Sequence, residues 1–295
     1  MTTTAQVFTI FALLIMTNIT NNRAAGSDRE QSPSVDRPAI VLVAFGTTNP
    51  EARKVFDHFD AVARKRYPKH DIRWALTSQF VLAKLKKQGI EAKGLDEVVA
   101  ELQKEGRGSV VFQSLHVAPG QEYSEIHDID TSGMRVAVGS ALLADDESID
   151  AVIKAIAIDI EKDAFNVVAC HGNRRHPEFN RQLVALAKNI EAKHANRVVC
   201  SVNGQPGTER LAEAKSGAAK LGKVHFIPLM LVAGVHVKDD VLGEESTSWK
   251  NIVAAKETTC AKPLGYRQAV LEVYFKHLDA ALAKLEGKQQ SKNDK

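Results

Sequence analysis

The sequence is poor in cysteine and in aromatic residues. Its 295 residues include three cysteines, Cys170, Cys200 and Cys260, and no two of them have C-x-x-C spacing. The spacing excludes a zinc ribbon and a thioredoxin-type site, and the small, odd number argues against a disulfide-stapled scaffold. Aromatic residues make up only 6% of the chain, which argues against a platform on which nucleic acid bases stack.

An excess of charge of one sign is also lacking. The chain has 39 Lys and Arg against 36 Asp and Glu, for a formal net charge of +3. The basic residues form no stripe interleaved with aromatics, so no nucleic acid partner is predicted. The 44% hydrophobic content is ample for a packed core in one large domain or two lobes.

No apolar run near the N-terminus is long enough to span a bilayer. Residues 7–16, VFTIFALLIM, form an apolar run of ten that matches the h-region of a secretory signal, and small residues follow at 24–26. We therefore predict a signal peptide at 1–26, a disordered lead-in at 27–37, and a periplasmic protein with no stable membrane span after signal removal. Because no Lys or Arg precedes the run, the alternative is a cytoplasmic protein with a translated upstream extension.

Strands and helices alternate from residue 38 onward. Apolar runs predict strands, and amphipathic segments between them predict helices. The predicted strands are 39–45, 71–77, 109–117, 134–139, 165–170, 197–202 and 223–232, and the predicted helices begin at 50 and cover 78–88, 94–105, 147–162, 177–194, 207–221, 246–257 and 265–286. This order predicts an α/β fold with two similar lobes, each a mainly parallel sheet flanked by helices, with a cleft between them.

The two predicted lobes, 38–140 and 141–286, look like a tandem duplication, and a polar tail follows at 287–295. AFGT at 44–47 matches CHGN at 170–173, because each ends a first strand and turns on glycine. Histidines fall at predicted strand ends: His171, His116 and His236. Ligands of open parallel sheets bind beyond these carboxyl ends, and neutral imidazole suits Co, Ni, Fe and Zn.

Four ordered segments resemble one family. AIVLVAFGTTNPEARKVFD, VVFQSLHVAPGQEYSEI, VVACHGNRRHPEFN and PLMLVAGVHVKDDVLGEESTSWK are similar to the anaerobic sirohydrochlorin cobalt chelatases of the CbiK type, which are class II chelatases related to the ferrochelatase fold. The resemblance runs from about residue 38 to 286. It implies a lyase that inserts Co²⁺, and alternatively Fe²⁺ or Ni²⁺, into a tetrapyrrole macrocycle in cobalamin or porphyrin biosynthesis, in a homo-oligomer.

The resemblance also implies site residues. It assigns metal binding and catalysis to His171 and His236. Asn203 stands where family members commonly carry a glutamate ligand or proton acceptor, and Glu122 or Glu125 is the substitute carboxylate, with Glu122 assigned as catalytic. Some exported members bind haem b through a histidine in the region of His116. Two roles are therefore possible for His116: a haem ligand, or a residue that lines the cleft. His176 is either a residue behind the metal ligands or, as its place before a proline suggests, a helix-capping or surface residue.

Three functions remain open at this point. The first is chelation of cobalt by sirohydrochlorin. The second is an exported tetrapyrrole, haem or metal carrier with weak or lost chelatase activity, which the amide at Asn203 favours because an amide cannot take up a proton at neutral pH. The third is a general periplasmic solute-binding protein, because two-lobed α/β folds also serve that role.

Overall fold

The structure, a computed structural model, describes residues 37–192 and 195–293, with side chains of the last helix described through residue 287. The predicted signal peptide and residues 27–36 of the lead-in lie outside the described residues, as does His194. Within the described ranges, each helix is too short or too polar to cross a bilayer.

Two four-stranded parallel sheets form the framework. The first has the order β2-β1-β3-β4 and the second the order β6-β5-β7-β8. The strands are β1 Ala39–Ala44, β2 Ile72–Leu76, β3 Ser109–Ser114, β4 Arg135–Gly139, β5 Phe165–Cys170, β6 Arg197–Ser201, β7 Lys223–Pro228 and β8 Glu257–Cys260. The predicted two-lobed α/β fold is confirmed, and both sheets place their first strand between their second and third.

Nine α-helices of the described chain flank the sheets. They are α1 Pro50–Arg66, α2 Gln79–Lys87, α3 Leu95–Lys104, α4 Gln121–Asp128, α5 Asp146–Ile156, α6 Arg181–Ala192, α7 Leu211–Leu221, α8 Trp249–Val253 and α9 Gln268–Asn293. A π-helix covers His236–Val241, and short 3₁₀ turns precede α6 and α7. Helix α1 begins at Pro50, as the proline predicted, and Asn49 caps it by accepting a hydrogen bond from the backbone of Ala52 at 3.1 Å.

Every residue of β1 is at most 1% exposed, because helices cover both faces of each sheet. Alternate residues therefore enter different cores. Ile40 and Leu42 belong to a cluster that also contains Val168 and Ile227 of the second sheet, whereas Val41 and Val43 belong to a separate cluster with α3. The inner faces of the two sheets thus share one hydrophobic core.

The C-terminal helix returns to the first sheet. The Tyr274 hydroxyl donates to the carbonyl oxygen of Leu115 at 3.0 Å, and the Phe275 ring lies 5.3 Å from the Phe59 ring. Arg66 of α1 pairs with Glu272 and Asp279 of α9 at 2.8 and 2.9 Å. The predicted boundary between lobes at residues 140 and 141 stays a prediction.

Several predicted element bounds were wrong. β3 ends at Ser114 rather than 117 and β7 at Pro228 rather than 232, because the apolar residues that follow, such as Leu115 and Leu229, are buried although they lie in loops. Helix α5 stops at Ile156, and the segment predicted as a helix to 257 holds only the short α8. β8 was not predicted: its sequence, ETTC, is polar and half exposed at the sheet edge, so it has no hydrophobic signal.

Candidate metal site

His171 lies at the carboxyl edge of the second sheet, directly after β5. The chain turns there on Gly172, which has φ +69°, and a Cβ at this position would stand 2.0 Å from the carbonyl oxygen of Asn203. The Asn203 N–H in turn donates to the carbonyl oxygen of His171 at 2.8 Å. Only glycine allows this backbone approach, and the turn leaves the imidazole at the edge of the sheet.

His236 reaches the same place from the neighbouring strand. It follows β7 through a seven-residue loop, 229–235, and opens the π-helix. One turn later, Asp240 places Oδ2 2.6 Å from His236 Nδ1. This carboxylate was missed in the sequence, although His and Asp at i and i+4 on one helix face are a recognisable signal.

The two imidazoles face one another through their Nε2 atoms, 3.2 Å apart. His171 Nδ1 lies 2.7 Å from the carbonyl oxygen of Gly172, so that nitrogen carries the proton. The carboxylate of Asp240 assigns the proton of His236 to Nδ1 in the same way. Both Nε2 atoms then present lone pairs to each other, an arrangement that a cation bound between them would stabilise.

The spacing of the two nitrogens suits one metal ion. Imidazole nitrogens bound at about 2.1 Å with a tetrahedral angle would be roughly 3.4 Å apart, close to the 3.2 Å observed. Within residues 37–192 and 195–293, no third His, Cys, Asp or Glu completes a metal-binding cluster with this pair. A metal ion held by this pair alone would keep its remaining coordination positions open.

Burial lowers the pKa of His171, and the neighbouring His236 lowers it further. The Gly172 carbonyl and the charges of Glu122 and Asp240 act in the opposite direction. Because the net pKa shift is downward, the ring is neutral at pH 7 and its Nε2 lone pair is available.

The two candidate carboxylates on α4 differ in placement. Glu122 is half-buried and close enough for its charge to raise the pKa of His171. Glu125 is exposed, and its Oε1 accepts a hydrogen bond from Gln121 Nε2 at 3.2 Å. Asn203 is half-buried and adjoins His171 through its backbone, so the position that resembles the family glutamate does lie beside the first histidine.

His116 and His176 bond to other partners. The ring nitrogens of His116 lie 2.9 Å from Ser114 Oγ and 3.3 Å from Thr77 Oγ1, and burial lowers the pKa of the ring to about 4. His176 is exposed, with Nδ1 3.3 Å from Glu178 Oε1. Its side chain makes no capping hydrogen bond to the 3₁₀ turn that follows, so of its two predicted local roles the structure gives the surface one.

Large apolar side chains are exposed beyond the carboxyl ends of β1, β2 and β7. Phe45, directly after β1, is 49% exposed; Phe80, at the start of α2, is 68% exposed; and Val235, beside His236, is 57% exposed. The Ser78 N–H donates to the carbonyl oxygen of Phe45 at 3.3 Å, which holds the start of α2 against this loop. A Cβ at Gly234 would stand 3.7 Å from Thr47 Oγ1, so the loop carrying His236 adjoins the loop after β1.

The relatives of the chain are metal chelatases. The chain is 28% identical over 276 residues to the sirohydrochlorin cobaltochelatase CbiKC of Nitratidesulfovibrio vulgaris, covering 87% of this chain and 95% of that protein. It is 25% identical over 257 residues to the sirohydrochlorin cobaltochelatase of Salmonella typhimurium, with coverages of 83% and 97%.

Solved structures share the fold. SirB from Bacillus subtilis with Fe³⁺ aligns with a TM-score of 0.59 at 14% identity, over 85% of this chain and 98% of that one. The structure of the sirohydrochlorin chelatase SirB from Bacillus subtilis subspecies spizizenii in complex with cobalt aligns with a TM-score of 0.58 at 14% identity, over 85% and 97%. The family model described as cobalt chelatase (CbiK) matches residues 38–283, and the chain therefore belongs to the cobalt chelatase family.

Proposed function

We propose that the protein inserts Co²⁺ into sirohydrochlorin. The observation that carries this proposal is the pair of Nε2 lone pairs of His171 and His236, 3.2 Å apart. The names of the relatives from Nitratidesulfovibrio vulgaris and Salmonella typhimurium supply the substrate and the metal. Imidazole ligation also accepts Fe²⁺ and Ni²⁺, so these ions are alternative substrates.

In this mechanism the two histidines hold the metal ion only briefly. Two imidazole ligands replace part of its water shell, while its open positions receive the nitrogens of the macrocycle. Both pyrrole N–H protons must leave as the metal enters. His171, which is neutral because burial lowers its pKa, accepts a proton once its lone pair is released by the metal, and Glu122 is the second acceptor.

The exposed apolar side chains suit a flat, apolar ligand. Phe45 and Val235 lie on the loops that follow β1 and β7, and Phe80 lies at the start of α2. Covering such side chains with a macrocycle is favourable by about 25 cal/mol per Å² of apolar surface. We therefore assign them to contacts with the ring faces, and His116 to the lining of the same cleft.

The test is metal insertion by His171→Ala and His236→Ala. Each variant loses one of two ligands, so we expect at least a hundredfold loss of turnover, followed as the change in the absorption spectrum of sirohydrochlorin after Co²⁺ is added. His127→Ala is the matched control, because His127 is an exposed histidine on α4. Near wild-type turnover by either site variant, measured above the uncatalysed rate, would show that the site is elsewhere.

A second candidate function is transport or storage of a tetrapyrrole, haem or metal. The amide of Asn203 beside His171 favours it, because a carboxylate ligand and base is absent there. A carrier binds Co²⁺ or the macrocycle tightly but inserts metal no faster than the uncatalysed reaction. A Soret band in the purified protein would indicate haem b, with His116 as the candidate ligand after its contact with Thr77 Oγ1 is broken.

We also propose that the protein is exported to the periplasm and that it forms a homo-oligomer. A periplasmic protein should begin near residues 25–28 when its N-terminus is sequenced from cells, whereas an intact Met1 in the cytoplasmic fraction would remove the export proposal. A homo-oligomer is proposed from the resemblance, and light scattering of the purified protein measures it directly.

A further inference from the structure

The loop that follows His171 carries two arginines with no use in the chemistry described so far. Arg174 and Arg175 are both exposed. Neither makes an ion pair or side-chain hydrogen bond with the described part of the chain. Other arginines are tied to carboxylates: Arg66 to Asp279 at 2.9 Å, Arg73 to Asp71 at 2.8 Å and Arg210 to Glu191 at 2.6 Å.

Hydrogen bonds from buried and neighbouring residues hold the backbone that carries these two arginines. Asn180, only 2% exposed, accepts a hydrogen bond from the Asn173 N–H at 2.7 Å and donates to the Asn173 carbonyl oxygen at 2.7 Å. Asn173 Oδ1 accepts a hydrogen bond from the His176 N–H at 2.9 Å. The guanidinium groups therefore project from a turn whose two ends are held, and ordering the turn costs a ligand little entropy.

The turn is close to the metal pair. Consecutive Cα atoms are about 3.8 Å apart, so the Cα of Arg174 lies within about 11 Å of the Cα of His171. The distance from the centre of a macrocycle, where the metal ion binds, to the acid groups at its edge is of the same order. The two arginines are thus placed to reach the edge of a ring whose centre is at the histidines.

We propose that Arg174 and Arg175 bind carboxylate side chains at the periphery of the tetrapyrrole, and so select an acidic macrocycle. The proposal rests on the proposed function. Sirohydrochlorin carries acetate and propionate groups around its edge, and the guanidinium fork, charged at every physiological pH, matches a carboxylate with two parallel hydrogen bonds. Adjacent arginines on a held turn can each take one carboxylate and fix the rotation of the ring in its plane.

The test compares Arg174→Gln/Arg175→Gln with Lys86→Gln/Lys87→Gln. The control removes the same charge from an exposed adjacent pair at the end of α2. We expect the arginine variant to raise KM for sirohydrochlorin about tenfold, with kcat lowered less than twofold, because two charge-assisted contacts are lost from substrate binding. Its KM should also depend less on NaCl concentration than that of the wild type or the control, because salt screens the contacts it lacks.

A KM equal to that of the lysine control, or a loss confined to kcat, would overturn the proposal. Arg174→Lys/Arg175→Lys should recover part of the affinity and the salt dependence, because the charge returns without the fork. If the wild type itself inserts no metal, the proposed function fails separately. Fluorescence titration of each variant with metal-free sirohydrochlorin then tests the arginines, and equal dissociation constants would exclude them.

Discussion

At the scale of single residues, the site depends on proton placement as much as on distance. His171 and His236 present facing lone pairs only because the Gly172 carbonyl oxygen and the Asp240 carboxylate each accept a hydrogen bond from the opposite ring nitrogen. The sequence predicted the two histidines from their strand-end positions. Asp240 was missed because no helix was predicted over residues 236–241, and the i, i+4 spacing of His236 and Asp240 indicates a contact only on a helix.

The role of Asp240 leads to a prediction. Asp240→Asn should weaken Co²⁺ binding about 10- to 100-fold, because the amide leaves the His236 tautomer unfixed and the ring less basic. Calorimetric titration with Co²⁺ measures the change. Asp239→Asn removes the same charge from the exposed neighbouring residue and controls for general electrostatics. Equal losses in the two variants would mean that only net charge matters.

At the scale of elements, the turn after β5 has little tolerance for a larger side chain. A side chain on Gly172 would meet the carbonyl oxygen of Asn203 at 2.0 Å, whereas Gly89, with the same φ of +69°, has nothing within 4 Å of its own added Cβ. Comparing substitutions at these two glycines therefore separates the energetic cost of a left-handed backbone from the cost of a steric clash.

We expect Gly89→Ala to lower the free energy of unfolding by about 1 kcal/mol, the cost of the left-handed backbone alone. Gly172→Ala should lower it by at least 2 kcal/mol, because the clash adds strain. It should also weaken Co²⁺ binding as His171 is displaced. Urea unfolding and cobalt titration of both variants are the measurements, and equal stabilities would show that the two loops separate without cost.

Strands were predictable from the sequence where both of their faces are buried, because such strands are continuous apolar runs. β5 was predicted to the residue, since FNVVAC is fully buried. The ends of β3 and β7 were placed too late, because buried loop residues such as Leu115 and Leu229 are as apolar as strand residues. The polar edge strand β8 depends on its pairing with β7, which the local sequence does not encode.

At the scale of the whole molecule, the two sheets are joined through a common core. The cluster that contains Ile40 and Val168 and the packing of α9 on the first sheet predict that neither half unfolds alone. This return of the chain could not be predicted from its order, because the last helix has no sequence feature that specifies the first sheet over the second.

The two tryptophans of the chain allow a direct test. Trp74 lies on β2 of the first sheet, and Trp249 begins α8 on the second. In Trp249→Phe and in Trp74→Phe, fluorescence of the remaining tryptophan should follow the same urea transition as far-UV circular dichroism. Two separated midpoints in either variant would mean that the halves unfold independently.

The repeated strand order has a geometric consequence. Phe45 and His171 are equivalent residues, since each directly follows the first, central strand of its sheet and precedes a glycine with positive φ. The first strand of one sheet is therefore followed by a hydrocarbon ring and that of the other by an imidazole. A planar ligand lying between them would meet an inert surface on one face and the metal on the other. The two sheets have the same strand order but carry different side chains at this position, so under the proposed function the metal should enter the ring from one face, on the side of His171.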